Sequence, residues 1–323
     1  MTADPSGPFV ATVPKVLAGV RVDRAVSMLT GVSRAESAAL VAGGRVLVDG
    51  RPVVQRSAPL DAGSQLVVEL PEEAVPLEPD PRVPFEVVYE DEDLVVVDKP
   101  AGVVVHPGAG TRGGTLVAGL LARHPDIGAL ASVSDPVRPG LVHRLDKGTS
   151  GLLVVARSAL AYRSLVAQMS ARTVGRRYLA LVVGIVPDDR GLVDAPVGRS
   201  ARTPTRMAVT PAGRPARTRY VVVERYARLF DGRGWADRPA TLLTCTLETG
   251  RTHQIRVHLA AIGHPVVGDD RYGARATRGG LGPGRLFLHA AELSIDHPVS
   301  GIRTTWTSAL PEDLRVVLEG TTG

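Results

Sequence analysis

The chain has one cysteine, Cys245, in 323 residues. That excludes an internal disulfide and any cysteine-cluster metal site, and suits a reducing cytoplasm. Long apolar runs are missing as well: nothing approaches the roughly 18 to 20 residues that span a bilayer. The opening MTADPSGPFVATVPK lacks a basic segment followed by an apolar core, so a soluble, unexported, cytoplasmic protein is expected. Lysine is scarce. Lys15, Lys99 and Lys147 are three of the 38 cations, which leaves 35 arginines, the side chain suited to bidentate phosphate recognition and to stacking on bases. GC-rich codon usage would produce the same bias, so the arginines suggest a nucleic-acid partner without establishing one. No Gly-Lys-Ser/Thr closes a phosphate loop of the Walker kind.

What is present divides in two. Residues 71–84, PEEAVPLEPDPRVP, pack five prolines and four acids into one stretch and read as an extended linker. Residues 1–84 hold 8 basic and 10 acidic side chains, a net −2, and residues 85–323 hold 30 against 23, a net +7. Within the first part, residues 1–14 are expected to be a flexible N-terminus and 15–70 a small domain. Val22, Ala25, Val26 and Leu29 share one face of a helix, with a turn at Gly31. Ser33 and Glu36 are spaced as a capping box for a second helix running to Gly43-Gly44, and RVLVDGRPV is a hairpin turning at Asp49-Gly50. Arg24, Arg34 and Arg45 make one side of this unit basic.

In the second part, FEVVYEDEDLVVVDKP predicts a hairpin with an acidic tip, Glu90 to Asp93, read as a solvated loop because adjacent strand residues face opposite ways. Gly108 to Gly113 spells GxGxxG, but His106-Pro107 separates it from the preceding apolar run and no strand ending in an acid follows, so a dinucleotide fingerprint is not supported. His253 and His258 in GRTHQIRVHL are five apart and cannot easily share a metal. Thr252 can cap a helix carrying Ile255, Leu259 and Ile262, which Gly263 and Pro265 stop. This helix follows the predicted strand TLLTCTLETG, so Arg251 to Arg256 sit at a strand-to-helix junction, a place that commonly faces a ligand. The segment 198–219 carries Arg199, Arg202, Arg206, Arg214, Arg217 and Arg219 with no acid; it is either a phosphate-contacting surface or an ordinary exposed hairpin.

The most telling stretch is residues 140–156, GLVHRLDKGTSGLLVVA, where a polar elbow, His143 to Lys147, interrupts two apolar runs that read as buried strands. Asp146 in this basic neighbourhood is expected to be a carboxylate, able to act as nucleophile or electrostatic partner. An Asp that merely caps the Gly148 turn fits the same stretch.

HRLDKGTSGLLVVA resembles the signature of the RluA-type pseudouridine synthases. VYEDEDLVVVDKPAGVVVHPGAG, RRYLALVVG, PVGR with MAV and ARTRY, LETGRTHQIRVHLAAIGHPVVGD and LHAAELSIDHPVSG resemble successive blocks of that family over about residues 85–312. The N-terminal unit is similar to the S4 RNA-binding domain, with Ser33-Arg34 and GGRVLVDG where its pattern expects them, and together the two are most similar to the RluD branch, which modifies large-subunit (23S) ribosomal RNA. The resemblance implies an α+β catalytic domain over 85–323 with a long mixed β-sheet and a central cleft, beside the small S4-like α/β domain. It implies roles by motif position: Asp146 as catalytic carboxylate, Arg256 as its paired arginine, and Tyr178 as the tyrosine that stacks on the base and is a candidate to take the final proton. Arg144 corresponds to the side chain that enters the RNA where the target nucleotide is flipped out. Arg34 and Arg206 are further candidate RNA contacts. The partner is then RNA, ribosomal or in an assembling large subunit, with no membrane and with the chain acting as a monomer. No cofactor is required, because the conversion of uridine to pseudouridine changes neither composition nor redox state. A non-catalytic S4-type RNA-binding or assembly factor, a synthase acting on tRNA and, more remotely, a two-carboxylate glycoside hydrolase are the alternatives; the last lacks a second acid in a motif with Asp146.

Overall fold

The computed structural model describes residues 8–70, 77–107, 113–203, 205–230, 235–236, 239–273 and 284–321, so the glycine run at 108–112 lies outside the described residues. The chain divides into two compact units, residues 1–75 and 76–323.

In the smaller unit, α1 (Val22–Thr30) buries Val22, Ala25 and Val26 and ends at Gly31, whose φ of 79° suits a residue without Cβ. Before α2 (Arg34–Ala42) the expected capping box is complete: Ser33 Oγ accepts the Glu36 N–H at 3.2 Å, and Glu36 Oε2 accepts the Ser33 N–H at 3.0 Å, a cap whose loss typically costs about 1 kcal/mol. Strands β2 (Val46–Val48) and β3 (Arg51–Pro52) join through Asp49-Gly50, both left-handed at φ 51° and 75°, as a two-residue turn matching strand twist demands. β4 (Gln65–Val68) pairs with β2, and on its other side with β1 (Phe9–Thr12). The strand β1 corrects the expectation of a flexible 1–14 from Phe9 onward: residues 9–12 pair with β4, and Val13 is buried in the same core as Leu66 and Val68, while residues 1–7 lie outside the described residues.

The larger unit is built on a nine-stranded mixed sheet. Its strands are β5 (Glu86–Glu90), β6 (Leu94–Lys99), β7 (Ser150–Ala156), β8 (Gly175–Val183), β9 (Arg190–Asp194), β12 (Arg217–Tyr226), β15 (Ala240–Leu247), β16 (Leu288–Asp296) and β17 (Arg303–Thr307). The order is β5-β6-β7-β16-β8-β15-β12-β9, with β17 also on β16, and β16 runs parallel to β7. Two small hairpins, β10 (Val197–Arg199) with β11 (Met207–Val209) and β13 (Leu229–Phe230) with β14 (Trp235–Ala236), stand outside it. Every residue of β7 is buried, which is why its run of Leu and Val does not alternate with polar residues. One face is covered by α3 (Leu116–Arg123), α5 (Gln254–Ala261) and α6 (Glu312–Thr321), the other by α4 (Ala159–Ala171).

Three expectations need correction here. Residues 140–142 are not a strand: Gly140 is left-handed at φ 72°, and a Cβ there would lie 2.4 Å from the Ala156 carbonyl, so only an isolated bridge from Leu141 to Val155 forms. Residues 77–84 are not a free linker, because Val83 is buried and Leu77 packs against the same core. The acidic tip is only half solvated. Glu90 and Glu92 are exposed, but Asp91 accepts the N–H groups of Asp93 and Leu94, the Tyr89 hydroxyl and His297 Nε2, all at 2.7–2.8 Å. Burial alone would raise the pKa of Asp91, yet these four donors outweigh it and hold the carboxyl down at about 2. A depressed carboxylate stabilises the fold above its unfolded pKa of about 4 and loses that contribution as pH falls through its folded value. Asp91→Asn should therefore cost about 2 kcal/mol at pH 7 and flatten the acid limb between about pH 4 and 2. Urea unfolding of both proteins across that range checks this, and parallel curves would refute it.

Candidate active site

The elbow delivers Asp146 to a cavity of about 260 Å³. Leu145, 3% exposed, anchors the segment in the core, and the Asp146 carbonyl accepts the Thr149 N–H at 3.1 Å to close a tight turn ahead of β7. His143 ties the elbow's start to β7, its Nε2 accepting the Val154 N–H at 3.1 Å. That bond places the ring proton on Nδ1. Burial first, then the charge of Arg176, drives the His143 pKa down to about 3, so the ring is neutral. The Gly102 N–H donates to the Lys147 carbonyl at 2.7 Å and holds the far end.

Arg256 reaches the same cavity from the first turn of α5. Thr252 does not cap this helix, contrary to the sequence reading. His253 occupies the cap position with a left-handed φ of 57°, and the side chain of Gln254 turns back so that its Oε1 accepts the Arg251 N–H at 3.0 Å and the Thr249 hydroxyl at 2.7 Å. The Arg256 guanidinium then makes three bonds. Nε and Nη2 donate to Asp269 at 2.8 Å each, and Nη1 donates to Asp146 Oδ2 at 3.1 Å. Burial alone would lower the pKa of Arg256, but Asp269 and then Asp146 outweigh it and hold the guanidinium above its ordinary value. Burial would likewise raise Asp269; the Arg256 fork and the N–H groups of Tyr272 and Arg271 hold it below the usual carboxylate range. Asp146 Oδ1 faces His253 Nε2 at 3.8 Å. His253 Nδ1 meets the Tyr272 hydroxyl at 2.7 Å, and that hydroxyl accepts the Met207 N–H at 3.1 Å. Desolvation lowers the pKa of His253 against the pull of Asp146, which keeps it neutral.

Of the side chains singled out by sequence, Asp146, Arg256, Tyr178 and Arg144 line this one cavity. Tyr178, on β8, is 5% exposed; burial raises its pKa, Asp146 adds to that and Arg176 opposes it. Arg144 is exposed, and its Nη1 lies 2.9 Å from His106 Nε2. Burial lowers the pKa of His106, and a bond from Nδ1 to the Pro107 carbonyl at 2.7 Å leaves Nε2 as acceptor. Arg206 does not line the cavity; it is exposed on the hairpin of β10 and β11, next to the Met207 that Tyr272 holds. Arg34 lies in the smaller unit, where it borders a depression with Arg21, Asp23 and Arg24. Asp269, His253, Tyr272 and Arg176 carry no assignment from sequence. The Asp269-Asp270 dipeptide gives no local signal of which acid is used, since only the fold makes the Asp269 side chain 0% exposed and that of Asp270 98% exposed.

Arg256→Met leaves two facing acids without their cation and should cost about 3–5 kcal/mol of stability. Its double-mutant cycle with Asp269→Asn should give a larger coupling than its cycle with Asp146→Asn, because Asp269 makes two shorter bonds and is fully buried; coupled neighbours typically differ from additivity by about 0.5–3 kcal/mol. Chemical unfolding of the single and double variants measures both. Additive free energies, or the reverse order, would contradict this reading of the triad.

Comparison with known proteins bears on what this arrangement is for. Residues 93–261 match the family model of RNA pseudouridylate synthases. A ribosomal large subunit pseudouridine synthase D of Pseudomonas aeruginosa is 43% identical over 94% of this chain and 92% of its own length. An uncharacterized RNA pseudouridine synthase of Chloroflexus aurantiacus is 47% identical over 96% of this chain and 92% of its own. Among solved structures, human RNA pseudouridylate synthase domain containing 1 superposes with a TM-score of 0.56 at 30% identity, over 72% of this chain and 86% of that one. The α+β fold with a large mixed sheet agrees with that likeness, and the chain belongs to the RNA pseudouridylate synthase family.

Proposed function

We propose that this synthase converts specific uridines of large-subunit ribosomal RNA, in the cytoplasm, with Asp146 as the catalytic carboxylate. The observation that carries the assignment is the 3.1 Å bond from Arg256 to Asp146 in a cavity that Tyr178 and Arg144 also line; the name of the Pseudomonas relative supports the choice of RNA. Arg256 holds Oδ2, while Oδ1 has only His253 Nε2 near it, at 3.8 Å, so one carboxylate oxygen is committed to positioning and the other is available to the nucleotide. Attack on the sugar, attack on the ring and assisted deprotonation of the sugar all draw on that same oxygen. The buried Tyr178 ring lines the cavity and offers a surface on which a flipped uracil can stack, and unstacking a base costs only a few kcal/mol. Arg144 is bound to a neutral imidazole rather than to an acid, so leaving it for the RNA gives up one hydrogen bond and no ion pair. The smaller unit serves as an S4-type clamp, its arginines contacting phosphates.

Asp146→Asn keeps the size of the side chain and removes the charge. Its turnover should fall by more than about a thousandfold, toward the upper end of what an essential acid–base or covalent group contributes, with RNA affinity nearly unchanged. Turnover above that level would make Asp146 structural. Pseudouridine mapping in total RNA from cells with and without the gene identifies the substrate, and loss of signal confined to tRNA would overturn the ribosomal reading. For the clamp, Arg24→Gln with Arg34→Gln should reduce the slope of log affinity against log salt by about 1.4–1.8, two phosphate contacts' worth; an unchanged slope would count against phosphate binding there.

A further inference from the structure

The cavity contains a second buried guanidinium, and this one has no anion among the described residues. Arg176 stands on β8 two residues before Tyr178, so both side chains leave the same face of the strand roughly 7 Å apart. It is 5% exposed. Its Nε is buried without an acceptor, and no ion pair holds the group among the described residues. Gly250 makes the room it occupies: a Cβ there would meet Arg176 Nη1 at 2.7 Å. Two further unpartnered atoms, His143 Nδ1 and Thr149 Oγ1, belong to residues lining the same cavity, and the first is a donor because His143 Nε2 accepts from Val154. Asp146 is the only acid among the lining residues, and Arg256 already holds it.

A buried charge without a partner is costly, and desolvation lowers the pKa of Arg176 accordingly. The missing counter-charge has a natural source in the reaction. Isomerisation breaks the bond from C1′ to N1, and its electron pair stays on the uracil, spread over O2 and O4. The ring turns, an electron pair of the ring forms the bond from C5 to C1′, C5 loses its proton and N1 gains one. Between the two bond changes the ring is an anion. A ring stacked on Tyr178 presents its edge to the neighbour two residues along the strand, whereas the exposed Arg144 is placed for phosphates.

We propose that Arg176 is a further catalytic residue, hydrogen-bonding a uracil carbonyl oxygen and stabilising the ring anion, with Gly250 as the residue whose lack of a side chain lets it do so. The inference rests on this cavity being the uridine site.

The test uses the full chain and three variants, Arg176→Gln, Arg176→Lys and Gly250→Ala, on whichever RNA the wild type converts. Single-turnover rates at saturating RNA, RNA affinity over a salt series and thermal melting are measured together. Arg176→Gln should lower the saturating rate about 10²–10³-fold, as loss of one preorganised donor to developing charge does. Its affinity and salt slope should match wild type and its melting temperature should not fall, since it removes an unpaired charge. Arg176→Lys should recover part of the rate, and Gly250→Ala should lose rate without losing affinity. A saturating rate within about threefold of wild type would overturn the proposal. So would a loss confined to affinity with a shallower salt slope, which would make this a phosphate site, or a drop in melting temperature that accounts for the lost rate, which would make it structural. A wrong ribosomal substrate shows separately, as no wild-type turnover on that RNA.

Discussion

The bridging of Asp269 and Asp146 by Arg256 is the interaction on which the rest of the site depends. One guanidinium has five donors in a rigid plane, and here its bonds are unequally divided. Asp269 takes two at 2.8 Å and two backbone N–H groups besides. Asp146 takes one at 3.1 Å. The fully buried acid satisfies the charge of the arginine and fixes its plane, so the partly exposed acid need not. A carboxylate carrying the whole counter-charge of a buried arginine would have both oxygens occupied and little left for a substrate. Sharing the cation leaves Asp146 with one oxygen that Arg256 does not bind, as its proposed role requires.

That geometry is assembled from segments far apart in the chain, and the sheet explains how they meet. Asp146 precedes β7, Tyr178 lies on β8, and β16 runs between those two strands. Gly151 permits the close pairing: at φ 110° its Cβ would fall 2.3 Å from the Ala290 carbonyl, so any other residue would force β7 away from β16. Arg256 enters from beyond β15, the other neighbour of β8. The left-handed His253 turns the chain into α5 within one residue, at a backbone cost of order 1–3 kcal/mol that the Gln254 hydrogen bonds help offset. Strain of this kind sits where the orientation of a side chain matters most.

The parts that were legible in the sequence are those set by neighbours along the chain. The stripe on α1, the Ser33–Glu36 box and the Asp49-Gly50 turn each depend on a few consecutive residues, and the structure has all three. The misread parts depend on distant partners. Leu141 and Val142 look like a strand until Gly140 meets the Ala156 carbonyl. Thr252 looks like a cap until the left-handed His253 takes the cap position. Asp91 looks solvated until His297, two hundred residues on, donates to it. Asp269 and Asp270 are the sharpest instance, since identical neighbours in sequence differ completely in burial. The resemblance to a family named Asp146 and Arg256 together, but the acid that orders that arginine carries no signature of its own.

The charge of the cavity follows from the same division. Arg138, Arg144, Arg176, Arg251 and Arg256 line it against Asp146 alone. The imbalance suits a substrate that arrives as a polyanion and passes through a further anionic stage inside. The two kinds of cation are placed differently: Arg144 is exposed at the rim and Arg176 is buried beside the tyrosine. Phosphates remain charged throughout and can be met in water, where a guanidinium contact is cheap and screened by salt. A charge that exists only while the base is detached is better met away from water, where each donor counts for more. On the roles proposed for Arg144 and Arg176, the depth of an arginine in this cavity sorts it between holding the RNA and serving the reaction.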